Sequence, residues 1–297
     1  MLSTALLPFP DIDPVLVEVP LGFATLPIRW YALAYIVGIW LGYLLVRRAL
    51  ARPGLWRNDS PPFGREQLEE LLTWLILGVI LGGRLGYVLF YGQGNYWENP
   101  VDIVRVWDGG MSFHGGFLGV VVAGLGFAWK HMVPLAGLAD AIALGTPPGL
   151  LLGRIANFVN AELWGRPTDL PWGVIFPTRS AQNCLGIEPG LCARHPSQLY
   201  EAGLEGLLLG AILTWLAFRR GGLKTPGLLC GVFLTGYGLA RFIVEHFRQA
   251  DAQFITDANP MGYALRLGEV GVTMGQLLSL PMVAVGLLVI AAALRRA

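Results

Sequence analysis

Apolar residues in this chain are gathered into seven runs, at roughly 29–46, 71–91, 113–129, 138–158, 198–218, 227–247 and 276–294. Each approaches the ~20 residues that a helix needs to cross a bilayer core of about 30 Å. Only a helix or a closed barrel satisfies its own backbone hydrogen bonds at that depth. The pattern predicts an all-α membrane protein with seven transmembrane helices. Because no long hydrophilic extension accompanies the runs, residues 1–297 read as one domain.

The polar connections orient those helices. One alternate set (47–70, 130–137, 219–226 and 295–297) carries eleven of the 21 Lys and Arg residues. The other set, counting Arg29, carries seven over a much longer stretch of chain. Short cytoplasmic loops retain Lys and Arg during insertion, which predicts the N-terminus outside and the C-terminus inside. No basic segment precedes a short apolar run at the N-terminus, so the first run reads as a retained helix and not a cleaved signal peptide. Composition agrees: 54% of residues are hydrophobic and 14% charged, against about 45–50% and about 25% in soluble domains. A net charge of +1, with no basic cluster interleaved with aromatics, argues against a nucleic-acid partner.

One external connection stands apart. Residues 159–197, between the fourth and fifth helices, are rich in Pro, Gly, Asn and Trp and include TDLPWGVIFPT. β-Branched and aromatic residues between prolines predict short strands in a small outer lobe. The lobe holds Cys184 and Cys192; in an oxidising compartment a disulfide and two unrelated thiols are both compatible with the spacing. Cys230, in the sixth run, reads as a small packing residue. Neither CxxC nor HExxH occurs, so no structural zinc or zincin site is indicated, and no metal or organic cofactor is expected. Glycine pairs such as Gly78/Gly82/Gly86, Gly149/Gly153 and Gly206/Gly210 read as close helix packing.

Charges inside the runs change the picture, because an arginine at mid-membrane costs about 2.5–3.5 kcal/mol on insertion scales. Arg84, Arg154 and Arg241 each lie in a different run, and Asp140, Glu201, Glu205 and Glu245 are their acidic companions within the runs. The arginines could pair with these carboxylates to fix helix register. They could equally build a site. Tyr237, Arg241 and Glu245 recur every four residues, which puts a phenol, a guanidinium and a carboxylate on one helical face. Arg154 precedes Asn157 in GRIANFVNAELWG, which leaves the membrane through Asn160 and Glu162. Arginine matches phosphate with a planar fork of donors, and a phospholipid head group would supply the counter-ion.

WDGGMSFHGGFLG (107–119) sets one histidine among five glycines at the outer start of the third run. His114 could accept a proton from a nucleophile or contact a head group. Alternatively, backbone carbonyls satisfy it and it orients the turn. His131 and His246 read as membrane-interface residues.

GRIANFVNAELWG (153–165) resembles the signature G-R-x-G/A-N-F-x-N-x-E-x-x-G of the phosphatidylglycerol:prolipoprotein diacylglyceryl transferases of bacterial inner membranes. RWYALAYIVG (29–38), LGGRLGYVLFY (81–91), RVWDGGMSFHGG (105–116), RHPSQLYEA (194–202), GYGLARFIVEHFRQAD (236–251) and MGQLLSLPM (274–282) look like the same family in the same order. The resemblance spares the first 20 or so residues and the 180–193 stretch, which reads as a local elaboration.

The resemblance implies that the diacylglyceryl group of phosphatidylglycerol moves to the lipobox cysteine thiol of a prolipoprotein, leaving a thioether and glycerol 1-phosphate. It implies a multi-pass protein of the bacterial inner membrane, with its active site toward the periplasm and the lobe periplasmic. His114, Arg154, Asn157 and Arg241 match the family's essential residues, while Tyr31, Asn160, Glu162, Gly165, Tyr237 and Glu245 match others tied to activity or the signature. With the residue chemistry, this predicts His114, Arg154, Arg241 and Tyr237 as catalytic. It predicts Tyr31, Arg84, Asn157, Asn160, Glu162, Gly165 and Glu245 as substrate-binding. The proton acceptor stays open between His114 and an arginine-acidified thiol relayed by Tyr237 or Glu245. Two other classes remain: a transporter of an anionic solute or lipid, against which stands the lack of inverted repeats, and a structural scaffold.

Overall fold

Helices stand where the apolar runs fall. The computed structural model describes residues 6–296 apart from 21, 23, 24, 93–95, 97, 185, 186, 189, 251, 257, 258 and 269. Its helices are α1 (Trp30–Leu50), α2 (Arg65–Phe90), α3 (Phe113–His131), α4 (Leu135–Gly145) and α5 (Pro147–Val159). They continue with α6 (Ser197–Arg219), α7 (Leu228–Val244) and α8 (Met274–Arg295). Among the described residues five spans are long and apolar enough to cross a membrane: α1, α2, α4 with α5, α6 and α8. α3 has 19 residues and α7 is a shorter apolar helix of 17. Ile36, Leu81, Val122, Leu207 and Leu288 face outward, a surface that suits lipid and not water.

The fourth expected run is two helices. Pro147 and Pro148 bring no backbone N–H, so the chain breaks after Gly145. The fifth run also departs from a plain α-helix, because Ala202–Leu208 winds as a π-helical turn within α6. Neither irregularity has a period-3.6 signature in the apolar pattern.

Small residues bring the helices together. A Cβ at Gly82 of α2 would lie 2.8 Å from the Gly119 Cα of α3, and one at Gly86 would lie 2.7 Å from Gly115 Cα. Gly38 meets Gly149 in the same way, which docks α1 on α5. Backbones this close gain dispersion where no hydrophobic effect drives helix pairing. The apolar core, with Phe127, Leu144, Leu213, Leu223 and Leu229 fully buried, gathers at the end of the bundle where the 47–64 and 219–227 connections lie.

Asp140 corrects an expectation. It pairs with no arginine among the described residues; its carboxylate accepts from Gly227 N at 2.7 Å and Cys230 N at 2.9 Å. It therefore caps the first turn of α7 across the bundle, where the N–H groups have no intrahelical partner and no water to replace one.

The lobe extends beyond 159–197. β1 (Leu7–Pro8) pairs in parallel with β4 (Val174–Ile175), while β2 (Val15–Pro20) pairs with β3 (Thr25–Arg29) and β5 (Leu265–Leu267) with β6 (Val270–Val272), both antiparallel. Short strands thus accompany the helices, and Gly165 bridges to Arg248. Phe9, Phe158 and Phe176 form an aromatic centre with ring centroids 5.3 to 5.8 Å apart. Cys184 and Cys192 are disulfide-bonded. Buried Arg194 lies 3.9 Å over the Trp164 ring and donates to carbonyls of Ala181, Gly165 and Asn183. Its desolvation pushes the guanidinium down to about 10.

Asp140→Ala strands two buried N–H groups, at about 1–3 kcal/mol each. It is expected to lower the unfolding midpoint in detergent clearly more than Asp140→Asn, which keeps one acceptor oxygen; equal midpoints for both variants and wild type would remove the cap.

Candidate active site

The polar half of the bundle is built on α5, α6 and α7. Arg154, two turns into α5, forms an ion pair with Glu201, its Nε 3.1 Å from Oε2, and its Nη2 lies 3.7 Å from Glu205 Oε2. Arg241, from the opposite helix α7, donates from Nη1 to the other oxygen of Glu201 and from Nη2 to Glu245 at 3.1 Å. Arg248 Nη1 stands 3.8 Å from the same Glu245 oxygen. One carboxylate therefore bridges two guanidiniums from separate helices. Tyr237, one turn before Arg241, meets Arg154 through its hydroxyl.

This arrangement corrects the expectation that substrate phosphate supplies the counter-ion. Three carboxylates already oppose the three guanidiniums, because buried arginines without partners would not survive insertion and folding. The arginines remain reachable: 21% of the Arg154 side chain and 14% of the Arg241 side chain are exposed, against 1% or less for Glu201 and Glu205. Glu205 sits at the π turn, with neither carboxylate oxygen hydrogen-bonded among the described residues.

Glu245 is held by close backbone approach. It follows the last turn of α7 and meets the first turn of α8, where a Cβ on Gly275 would lie 2.6 and 2.7 Å from its oxygens. A helix N-terminus favours a carboxylate. Only glycine leaves room for it.

A second group adjoins the first along α5. Asn157 donates to Glu162 at 2.8 Å and Asn160 donates to the same oxygen at 3.3 Å. Tyr31 lies beside Asn157 and pairs with the Tyr35 hydroxyl at 3.2 Å. Ala161 and Leu163 have positive φ of 52° and 57° as the chain turns out of the helix, and Gln198 of α6 donates to the Glu162 carbonyl at 2.5 Å.

Arg84 and His114 belong elsewhere. Arg84 is buried, and its guanidinium donates to the carbonyls of Asp102, Ile103, Gly109 and Gly110. Its charge thus organises the loop ahead of α3. Gly109 and Gly110, with φ of 85° and 78°, adopt a left-handed course that other residues resist. Ser112 then caps α3 by accepting from Gly115 N. His114 lies in that first turn, exposed, on a helix packed against α2. Gly165 adds no side chain to either group and meets the first only through its backbone bridge to Arg248: its N–H donates to His195 O, and a Cβ would strike Phe247 O and His195. Desolvation lowers the His195 pKa. His131 pairs with Glu70 at 3.0 Å, and His246 caps the end of α7. Asp251, the last residue of the 236–251 motif, lies outside the described residues. Among the described residues, no group of three or more His, Cys, Asp and Glu side chains is placed to hold a metal ion.

A family model described as prolipoprotein diacylglyceryl transferase matches residues 16–292. The chain belongs to this family. It is 61% identical over 97% of its length to the phosphatidylglycerol–prolipoprotein diacylglyceryl transferase of Roseobacter denitrificans, of which it covers 98%. Identity to proteins of the same name is 60% in Ruegeria pomeroyi, over 95% of this chain and 96% of that one. In Rhizobium meliloti it is 48%, over 97% and 95%. Family membership sets aside the carrier and scaffold readings. The family is one of bacterial membrane enzymes, and the apolar helices make this chain a multi-pass membrane protein. Within it, sequence reasoning recognised Glu201 and Glu205 only as companions to the arginines; their spacing of four in an apolar run was the visible signal. Gly275 had none.

Gly275→Ala is expected to push Glu245 aside and cut transferase turnover about tenfold, with the melting temperature within a few degrees of wild type; an unchanged rate would detach Glu245 from activity. Glu201→Gln leaves one guanidinium facing an amide, at a cost of about 3–5 kcal/mol for an uncompensated buried charge. It is expected to lower both the melting temperature and turnover, the latter at least a hundredfold.

Proposed function

We propose that this chain transfers the diacylglyceryl group of phosphatidylglycerol to the lipobox cysteine of a prolipoprotein signal peptide. The observation that carries the reading is the convergence of Arg154 and Arg241 on Glu201 at the accessible, polar end of a membrane bundle. The cysteine thiolate attacks the glycerol carbon bearing the phosphate ester. A C–S bond forms as the C–O bond breaks, and glycerol 1-phosphate departs with the electron pair. Charge grows on the departing phosphate, so guanidiniums held by Glu201 and Glu245 stabilise the transition state more than the bound diester. Their fixed pairing lowers the reorganisation needed at that moment.

Tyr31, Asn157, Asn160 and Glu162 form the adjoining wall against the lipid head group or peptide, and Gly165 supports it from behind. Arg84 acts through the loop, setting His114 at the head-group level. His114 takes the thiol proton, or else the arginines acidify the thiol and Tyr237 or Glu245 relays the proton. All seven apolar runs cross the inner membrane, with the N-terminus and lobe periplasmic and the basic connections cytoplasmic. The disulfide supports that orientation, since such bonds persist in oxidising compartments.

The test is mass spectrometry of a lipobox peptide incubated with purified protein and phosphatidylglycerol. The cysteine peptide is expected to gain a diacylglyceryl group as glycerol phosphate appears, and a Cys→Ser peptide or Arg241→Ala enzyme is not. Arg154→Lys should lose most of the activity, because a point charge cannot reproduce a bidentate fork. Wild-type turnover in Arg154→Lys would sink the phosphate-fork role.

A further inference from the structure

The opposite end of the bundle carries arginines that the reaction does not use. The last turns of α1 and α6 lie side by side, and Leu45, Arg48, Arg52, Thr214, Phe218 and Arg219 line a cavity of about 510 Å³ between them. That volume falls in the range of about 300–1,000 Å³ typical of small-ligand sites. Arg219 lies about 20 Å along α6 from Glu205, at ~1.5 Å rise per residue, so this cavity is separate from the arginine–carboxylate cluster.

Its arginines, all three exposed, differ from the buried and half-buried arginines in one respect. Arg84, Arg154, Arg194 and Arg241 each reach carbonyls or carboxylates. Among the described residues, the guanidiniums of Arg48, Arg52 and Arg219 form neither an ion pair nor a hydrogen bond. The guanidinium carbons of Arg48 and Arg52 instead stand 6.0 and 5.7 Å from the Phe218 ring centroid. Cation–π contact orients two planar forks around one apolar floor, leaving their donors to an anion.

The surroundings supply the depth. Trp215 is half exposed with Arg220 5.1 Å over its ring, a pairing of aromatic and basic side chains typical of a membrane–water interface. Beyond it, exposed Leu41 on α1 and Leu208 and Ile212 on α6 present apolar surface toward the membrane interior. A ligand with a phosphate at the arginines and acyl chains along that surface satisfies both.

We propose that this cavity binds an anionic phospholipid of the leaflet opposite the reaction site, its phosphate held by Arg48, Arg52 and Arg219. The site rests on the membrane-spanning reading and is independent of the transfer chemistry. A zwitterionic lipid is disfavoured because its ammonium would face three guanidiniums.

Native mass spectrometry of the full-length protein in detergent tests this, with phosphatidylglycerol, phosphatidylethanolamine or inorganic phosphate added. Wild type is expected to retain one more phosphatidylglycerol than R48Q/R52Q/R219Q, with no such difference for phosphatidylethanolamine. The same difference is expected in an Arg241→Ala background, which separates this lipid from any bound at the reaction site. Turnover of the triple variant at saturating phosphatidylglycerol should equal wild type. Should the triple variant fail to fold, Arg52→Gln alone, at an exposed position, is expected to weaken retention about tenfold. Equal retention by wild type and the folded variant overturns the site, as does an equal loss of phosphatidylethanolamine, which would make it an apolar groove. Stabilisation by inorganic phosphate equal to that by phosphatidylglycerol overturns the lipid assignment in favour of a free-anion site.

Discussion

Arg154 and Arg241, on helices that are not neighbours in the chain, share the carboxylate of Glu201, which is itself 1% exposed. Two buried guanidiniums would repel each other and cost several kcal/mol to insert. A buried carboxylate between them would be equally costly alone. Together, with Glu245 and Glu205 completing the balance, they form a polar node that ties α5, α6 and α7 together. The surrounding structure serves that node: the π turn at Glu205, the close approach of Gly275 to Glu245, and the amide pair on Glu162 one turn along α5.

Charge and packing are kept at different ends of the bundle. The fully buried apolar side chains gather toward the basic connections, while the polar groups gather toward the lobe. Helix pairs outside the node are held instead by small residues, with α2 and α3 meeting through Gly82, Gly86, Gly115 and Gly119. This division lets the polar half retain reachable arginines while the apolar half supplies stability. It also explains Asp140, whose carboxylate sits in the apolar half because α7 begins there and its first N–H groups need an acceptor.

The histidine set among glycines is understood through Arg84. Four backbone carbonyls converge on that guanidinium, two of them from glycines whose left-handed course turns the loop inward. The charge is spent on backbone acceptors, not on an opposing carboxylate. Glycine is needed before His114 for the turn and after it for the approach of α2. An intramembrane arginine can thus be costly and still lie outside the reacting group.

The amino-acid sequence determined where helices form and which charges fall within apolar helices, because apolar runs and isolated charges are local facts along the chain. It also carried GRIANFVNAELWG, the stretch that most resembles the family, since this holds its amides and carboxylate within one helix and the turn after it. Arg241 and Glu245 were legible as a pair because four residues make one helical turn. Partner choice across helices was not legible. Only tertiary structure decided that Glu201 bridges two arginines, that Asp140 caps a helix, that Arg84 holds a loop, and that Gly275 must be small. Each depends on which backbones approach within a few ångströms, and residues far apart in the chain meet there without leaving a periodic trace along it.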